Sequence, residues 1–156
     1  MKNWFLSGVV KWTVLSVLAL FFVAGCGKDE DTPPLFQGQS KTYILYNYST
    51  GSPVEAGSFT FTELQNGGAS AAINVSTGYR VAGVKFKATI TVADAQGVEL
   101  VYADLGDVDG TLGTGAKNPI ISSGTNTPIK YNDLISKVGY TLKVMNGNNV
   151  QAKGTI

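Results

Sequence analysis

The chain has 156 residues, contains no histidine and carries a formal net charge of +1. Histidine is the commonest metal ligand and the commonest general base in proteins. Its absence excludes type-I copper, catalytic zinc and Ser/His/Asp chemistry. The near-neutral charge excludes an electrostatic nucleic-acid binder, which needs a basic patch or stripe. No catalytic constellation is found in the sequence, and its composition favours a function without catalysis.

The first 25 residues have the organisation of a secretory signal peptide. Lys2 and Lys11 supply positive charge, and residues 14–24 form an apolar run that ends in small residues. A membrane-spanning helix needs roughly 20 apolar residues, whereas this run has only about a dozen. We therefore expect residues 1–25 to be a cleaved leader and not a retained anchor.

Residues 23–26 read Val-Ala-Gly-Cys. This order and spacing resembles the lipobox of bacterial lipoproteins. The resemblance implies cleavage before Cys26, attachment of a diacylglycerol to its thiol, and acylation of its new amino group. Two or three acyl chains make a lasting anchor, whereas a single chain holds a protein only marginally. Cys26 is the only cysteine of the chain, which leaves it no partner for an intramolecular disulfide.

A charged segment follows the cysteine, consisting of Lys28, Asp29, Glu30 and Asp31. It resembles the lysine-plus-acidic export signal that sends lipoproteins of Bacteroidota-type bacteria to the outer face of the outer membrane. The alternative is a solvated acidic spacer, because charge blocks at a chain end are usually disordered. Residues 26–41 are expected to form the lipidated cysteine and a flexible linker to the folded domain.

Residues 42–75 carry the first strand signals. Residues 42–48 are aromatic and β-branched and end at a turn cluster, which predicts a strand. Residues 58–64 and 71–75 each alternate apolar and polar side chains. The Asn66-Gly67-Gly68 turn between them predicts a hairpin.

The clearest alternation lies in residues 84–92, where five apolar residues alternate with lysines and threonines. This pattern predicts a strand with one buried and one solvated face. Lys85 and Lys87 on the solvated face are a candidate basic stripe for an acidic polymer, although a row of lysines more often protects an edge strand from aggregation. Residues 98–105 predict a further strand, which we expect to be more buried because residues 100–102 form an apolar and aromatic run.

Residues 106–127 are rich in glycine, threonine, serine and asparagine. A loop of this length inside a compact domain is usually functional or mobile. We expect the Ile120-Ile121 pair to pin its middle to the core. Residues 132–137 then predict one helical turn, with Asn132 as its cap and Gly139 at its close.

The chain ends in a second hairpin, because residues 140–145 and 150–156 alternate around an Asn-Gly turn. About seven strands separated by turns, with no helical period of useful length, predict an all-β antiparallel fold. We expect residues 42–156 to form a single immunoglobulin-like β-sandwich or a Greek-key barrel.

Five features stand in a recognisable order within residues 57–156. They are the strands at 57–64 and 84–92, a Gly-rich excursion containing Asn118-Pro119-Ile120-Ile121, the Asn132-Asp133-Leu134 turn, and the final hairpin. This order resembles the CHRD domain, a module named from chordin and also found in bacterial secreted proteins, and it implies an immunoglobulin-like β fold. The family usually carries a His-x-His pair before the excursion, but this chain has no histidine. No metal property is therefore carried over.

Asp104, Asp107 and Asp109 form the one acidic cluster with a ligand-like appearance. Calcium takes roughly six to eight oxygen ligands, and Asp-x-Asp-Gly turns gather carboxylates and carbonyls around a hard cation. The full calcium-loop signature fails, because the twelfth position counted from Asp107 is Asn118 and not a bidentate glutamate. The failed position favours an Asp/Gly turn that leaves an edge strand over a calcium site. Calcium is the only cofactor that the sequence indicates.

Tyr43, Tyr46 and Tyr48 lie in the first predicted strand. Tyr43 shares a face with Leu45, and the other two tyrosines share the opposite face with Ile44, so at least one face belongs to the core. The tyrosines are a candidate stacking surface for sugars, although tyrosine is also an ordinary strand residue.

The sequence thus favours a lipid-anchored binding or structural module at the cell surface. It is expected to contact a partner protein or a glycan through its loops, chiefly residues 106–127. The alternative is a calcium-dependent binding or enzymatic domain that uses Asp104, Asp107 and Asp109. The membrane is a partner in both cases through the N-terminal lipid, and nucleic acid is a partner in neither.

The lipobox predicts that Cys26→Ser releases the protein from the membrane, because serine offers no thiol for the lipid. We expect the variant to incorporate no alkyne-labelled palmitate in intact cells and to leave the membrane fraction. In-gel detection of the label in wild type and variant measures this. Labelling of the variant at the wild-type level would contradict lipidation at Cys26.

Overall fold

Eight strands and one short α-helix make up most of residues 36–156, the part of the chain that this computed structural model describes. The predicted signal peptide and five of the predicted site residues, Cys26, Lys28, Asp29, Glu30 and Asp31, lie outside these residues. The strands are β1 (Ser40–Asn47), β2 (Val54–Glu63), β3 (Ala69–Val75), β4 (Lys85–Ala93), β5 (Glu99–Asp109), β6 (Thr114–Lys117), β7 (Thr141–Asn146) and β8 (Asn149–Thr155). The helix is α1 (Tyr131–Ile135), and a 3-10 helix spans Thr77–Tyr79.

Antiparallel pairing closes the strands into a barrel with the order β1-β2-β3-β6-β5-β4-β7-β8. Within it, β4 to β7 lie in the spatial order β7-β4-β5-β6. Three consecutive strands with a fourth that returns beside the first constitute a Greek key. The expected all-β antiparallel fold is confirmed. Within residues 36–156, no helix is long and apolar enough to cross a membrane.

Two seams of the barrel are narrow. β5 joins β6 through one residue pair, Asp109 with Thr114, and β8 joins β1 through one pair, Lys153 with Tyr46. Every other pair of neighbouring strands shares a ladder of at least four residue pairs. The barrel therefore consists of two four-stranded halves, β6-β3-β2-β1 and β5-β4-β7-β8, joined at these two seams.

Alternate residues of the strands fill the interior of the barrel. On β3 the residues at odd positions are buried. On β4 Phe86, Ala88 and Ile90 are buried, whereas Lys85 and Lys87 are exposed. Burial of one large apolar side chain stabilises a fold by about 1.5–3 kcal/mol. The core follows the predicted alternation because successive side chains of a strand point to opposite faces.

Two expectations for the β4–β5 hairpin are wrong. β4 is not an edge strand, since it pairs with β5 on one side and with β7 on the other. The start of β5 is not buried, since Leu100 and Val101 are 52% and 50% exposed. The β4–β5 ladder continues to Ala93, whereas the β4–β7 ladder stops at Thr91. The end of the β4–β5 hairpin therefore extends past its ladder with β7.

The glycine-rich segment is more regular than expected. β5 continues through its first residues to Asp109, and β6 occupies Thr114–Lys117. Ile120 is fully buried, and its N–H donates to the carbonyl of Ala69 at 2.8 Å. These contacts confirm that the middle of the segment is pinned to the core. Ile121 is half-buried. The predicted long loop is therefore divided into a strand end, a short strand and a shorter loop.

The expected helical turn is present but begins earlier. Lys130 is the N-cap residue and Asn132 lies inside α1. Tyr131 and Leu134 are buried, and residues three positions apart lie on the same helix face. Packing of these two side chains, and not a capping side chain, therefore sets the start of the helix.

The seam between β1 and β8 depends on a close approach of two backbones. A Cβ atom at Gly154 would clash with the carbonyl oxygen of Ile44, so glycine is needed there. At the other end of the seam, Asn47 is only 8% exposed, and its Nδ2 donates to the carbonyl of Gln151 at 2.6 Å. These two contacts hold the first and last strands together where the ladder is shortest.

Gly154→Ala is expected to lower the free energy of unfolding by about 1–3 kcal/mol, because the added methyl group forces β8 away from β1. Urea unfolding followed by circular dichroism measures this loss. Gly124→Ala is the matched control, since no atom of the described residues lies within 4 Å of an added Cβ there. We expect the control to stay within about 0.5 kcal/mol of wild type. Equal unfolding midpoints for the two variants would show that the close approach does not matter.

Candidate functional site

An open groove of about 590 Å³ runs along the outer face of the β1–β8 seam. β1, β7 and β8 supply most of its walls, and Tyr48, which follows β1, and Glu99, the first residue of β5, supply the rest. We call it the tyrosine groove. Its lining includes Ile44, Tyr46, Tyr48, Glu99, Lys143 and Lys153.

Strand alternation decides which tyrosines face the groove. Leu45 is fully buried, and Tyr43 packs against the core with its ring centroid 5.7 Å from that of Phe61. Tyr46 and Tyr48 lie on the opposite face and are 36% and 46% exposed. The sequence left open which face belongs to the core. The structure places the Tyr43 and Leu45 face against the core and the other face in the groove, although the partly buried Tyr43 also contributes to the lining of the groove.

An ion pair forms part of one wall of the tyrosine groove. Nζ of Lys143 on β7 contacts Oε2 of Glu99 on β5, and the Lys143 side chain is only 13% exposed. In the ladders Lys143 lies opposite Thr89, and Glu99 lies opposite Ala93. The side chains of the ion pair therefore meet over Thr91, which lies between Thr89 and Ala93 on the same face of β4. Thr91 is buried although it lies on the outer face. The ammonium of Lys143 thus already has a carboxylate partner.

Lys153 on β8 is the second cation of the groove and has a different environment. Within residues 36–156 it makes no salt bridge. Its Nζ lies 4.7 Å from the centroid of the Tyr48 ring, a distance at which an ammonium is attracted to the ring face. The groove therefore presents one uncompensated positive charge beside an aromatic ring.

The predicted acidic cluster lies on β5 and does not line the tyrosine groove. Lys87 lies 3.5 Å from Asp104 and 3.7 Å from Asp107, and Lys85 lies 3.7 Å from Asp107. These are cross-strand pairs between β4 and β5, which accounts for the lysine row on β4. In the described part of the chain, no three or more acidic, cysteine or histidine side chains are grouped so as to hold a metal ion. The calcium site stays a prediction from the sequence.

The Asp109 carboxylate accepts hydrogen bonds from the turn that follows β5. Its Oδ1 accepts the backbone N–H of Leu112 at 2.9 Å and that of Thr111 at 2.7 Å. These hydrogen bonds, that from Leu112 foremost, hold the pKa of Asp109 below its ordinary value, because they favour the charged form. Asp109 therefore stabilises the turn between β5 and β6.

The loop that was expected to carry function borders a smaller cavity of about 320 Å³. Thr125 and Thr127 of the loop line it together with Tyr102 and Lys137. The rings of Tyr102 and Tyr140 meet edge to face at 4.9 Å, and Nζ of Lys137 lies 5.7 and 5.8 Å from their centroids. Burial raises the pKa of the Tyr102 hydroxyl. No residue of the loop lines the tyrosine groove.

Sequence reasoning identified the groove tyrosines but missed Glu99, Lys143 and Lys153. The alternation of the final hairpin places Lys143 on an outer face, but no local signal relates it to β1 or to Glu99. The charged residues meet the tyrosines only because the last strand pairs with the first. A contact of this kind depends on tertiary structure.

Comparisons with known proteins provide no relative from which a function can be transferred. No family model matches the chain, and searches of curated proteins and of solved structures found no match. The function is therefore inferred from the geometry of the described residues.

Asp109→Asn is expected to reduce the loss of stability in acid. The folded pKa of Asp109 is lowered, so its carboxylate stabilises the fold above the unfolded pKa and loses this effect as the pH falls through the folded pKa. The asparagine carbonyl can accept the same two N–H groups at every pH. Urea unfolding between about pH 7 and about pH 2.5 measures the difference.

Asp133→Asn is the control for the loss of one negative charge. Asp133 is exposed, and within the described residues its carboxylate accepts no hydrogen bond. An Asp109→Asn variant whose stability falls in acid as steeply as that of wild type would contradict the role given to the two N–H groups.

Proposed function

We propose that this chain is a lipid-anchored module that binds a glycan at the cell surface through the tyrosine groove, without catalysing a reaction. The observation that carries the proposal is the outward position of Tyr46 and Tyr48 in an open groove of about 590 Å³. A tyrosine ring offers a flat apolar face and a polar hydroxyl. Sugar rings are complementary to it, since they have apolar faces and a rim of hydroxyl groups.

The arrangement of the tyrosines suits a chain of sugars. Tyr46 is in β1 and Tyr48 is the first residue after it, and two residues of extended chain span about 7 Å. Neighbouring rings of an oligosaccharide can therefore each meet one tyrosine. The hydroxyls of Thr42, Thr141 and Thr155 border the same groove and can donate and accept hydrogen bonds.

The lining of the groove supports binding without hydrolysis. Glycoside hydrolysis generally uses a pair of carboxyl groups on either side of the scissile bond. Among the described residues that line the groove, Glu99 is the only acidic one, and it is paired with Lys143. Histidine, the commonest alternative base, is absent from the whole chain.

The proposed location rests on the N-terminal sequence. Cys26 supplies the lipid attachment point, and Lys28 with Asp29, Glu30 and Asp31 supplies the export signal to the outer face of the outer membrane. The residues between Cys26 and the start of β1 at Ser40 provide a linker. A module held in this way has access to glycans outside the cell.

A relation to the CHRD domain and an immunoglobulin-like organisation are also part of the proposal. They are supported by the order of sequence features in residues 57–156. The division of the barrel into two four-stranded halves with narrow seams is compatible with two packed sheets.

The calcium-dependent alternative has less in its favour. Asp104 and Asp107 face lysines, and Asp109 is bonded to a turn. A protein partner at residues 106–127 is the other alternative, and the cavity at Thr125 and Thr127 is where it would bind.

Binding of the full-length protein, purified in detergent, to an array of neutral and anionic oligosaccharides tests the proposal. We expect Tyr46→Ala and Tyr48→Ala each to weaken binding about tenfold, because buried tyrosines often dominate the energy of an interface. Tyr48→Phe keeps the stacking ring and is expected to retain most of the affinity.

Val138→Ala is the matched control, since Val138 is 87% exposed and does not line the groove. It is expected to bind as wild type does. An array on which no oligosaccharide is bound, or on which the two alanine variants bind as well as wild type, would overturn the proposed function.

A further inference from the structure

We propose that the ligand of the tyrosine groove is an anionic glycan, whose carboxylate or sulfate group is recognised by Lys153 while its sugar rings lie on Tyr46 and Tyr48. This inference rests on the proposed function and adds the charge class of the ligand. It follows from how the charges of the groove are paired and from where Lys153 lies.

The first observation is the charge balance of the groove. Its charged lining residues are Lys143, Lys153 and Glu99. Glu99 already neutralises Lys143 in an ion pair that is largely shielded from water on the lysine side. The remaining positive charge on Lys153 has no carboxylate partner within the described residues. A negatively charged ligand would neutralise this remaining charge.

The second observation is the position of Lys153 relative to the tyrosines. Its backbone lies opposite that of Tyr46 in the β1–β8 seam, and its Nζ lies 4.7 Å from the centroid of the Tyr48 ring. A sugar ring on either tyrosine therefore places the groups at its rim near the ammonium. The lysine stem has several rotatable bonds, so the ammonium can leave the face of Tyr48 for such a group.

The third observation is that Glu99 determines whether the charge of Lys143 is free to bind a ligand. While the ion pair holds, Lys143 is occupied and its side chain is mostly covered. Removal of the Glu99 charge frees the Lys143 ammonium inside the same groove. Substitutions at Lys153 and at Glu99 are therefore expected to change the affinity for an anionic ligand in opposite directions.

Isothermal titration of the full-length protein in detergent tests this with three oligosaccharides of equal length: an oligogalacturonate, a sulfated galacto-oligosaccharide and a neutral galacto-oligosaccharide. We expect wild type to bind at least one anionic probe about tenfold more tightly than the neutral one, since hydrogen bonds to charged groups are the stronger ones. Comparison of the two anionic probes distinguishes a carboxylate from a sulfate ligand. The preference should decrease as salt is raised, because exposed charges are screened.

Lys153→Met keeps an unbranched apolar stem beside Tyr48 and removes the charge. We expect it to lower the affinity for the preferred anionic probe about tenfold and to change the affinity for the neutral probe far less. Lys153→Arg is expected to retain the preference. Glu99→Gln is expected to raise the affinity for the anionic probe several-fold, and circular dichroism confirms that each variant is folded.

The results separate this inference from the proposed function. Equal affinity for neutral and anionic probes, lost in Tyr46→Ala, overturns the inference about charge and leaves the glycan-binding function standing. An anionic preference that Lys153→Met does not reduce overturns the role of Lys153. No binding of any of the three probes by folded wild type overturns the inference together with the function on which it rests.

Discussion

Closure of the barrel between its first and its last strand is the constraint on which the rest of the structure depends. Only one residue pair joins β1 to β8. The approach of Gly154 to Ile44 and the hydrogen bond from Asn47 to Gln151 hold the strands together beside it. A closed barrel leaves no long free edge that would pair with another chain. The same closure creates the outer surface on which the tyrosine groove lies.

Because successive side chains of a strand point to opposite faces, β1 contributes both to the core and to the groove. Tyr43 and Leu45 pack against the core, and Ile44 and Tyr46, which alternate with them, form part of the groove. A change of register by one residue would exchange the two sets. The core and the tyrosine groove therefore depend on the same backbone of β1, although they use different side chains.

Charged side chains are paired differently on the β4–β5 face and in the tyrosine groove. On β4 and β5, the lysines and Asp104 and Asp107 balance one another across strands. In the groove, Glu99 balances Lys143 and leaves Lys153 beside Tyr48. Exposed pairs of the first kind contribute at most about 1 kcal/mol to stability. Within the described residues Lys153 has no carboxylate partner, and the proposal of an anionic ligand rests on this difference.

The sequence by itself determined the features that depend on neighbours along the chain. Alternation located most of the strands, and Asn-Gly turns located the two hairpins around residues 66–68 and 146–149. The pinning of Ile120 also followed from its apolar character in a polar segment. These signals are local because the side chains of a strand alternate with a period of two.

Tertiary structure alone decided what depends on distant partners. The strand order, the exposure of Leu100, the place of β6 in the barrel and the choice of the outer tyrosine face all follow from which strands pair. The candidate site is of this kind, since Glu99, Lys143 and Tyr46 come together from strands far apart in the chain. Residue type and spacing indicate which faces are apolar, but they contain no information about which face of a distant strand lies next to them.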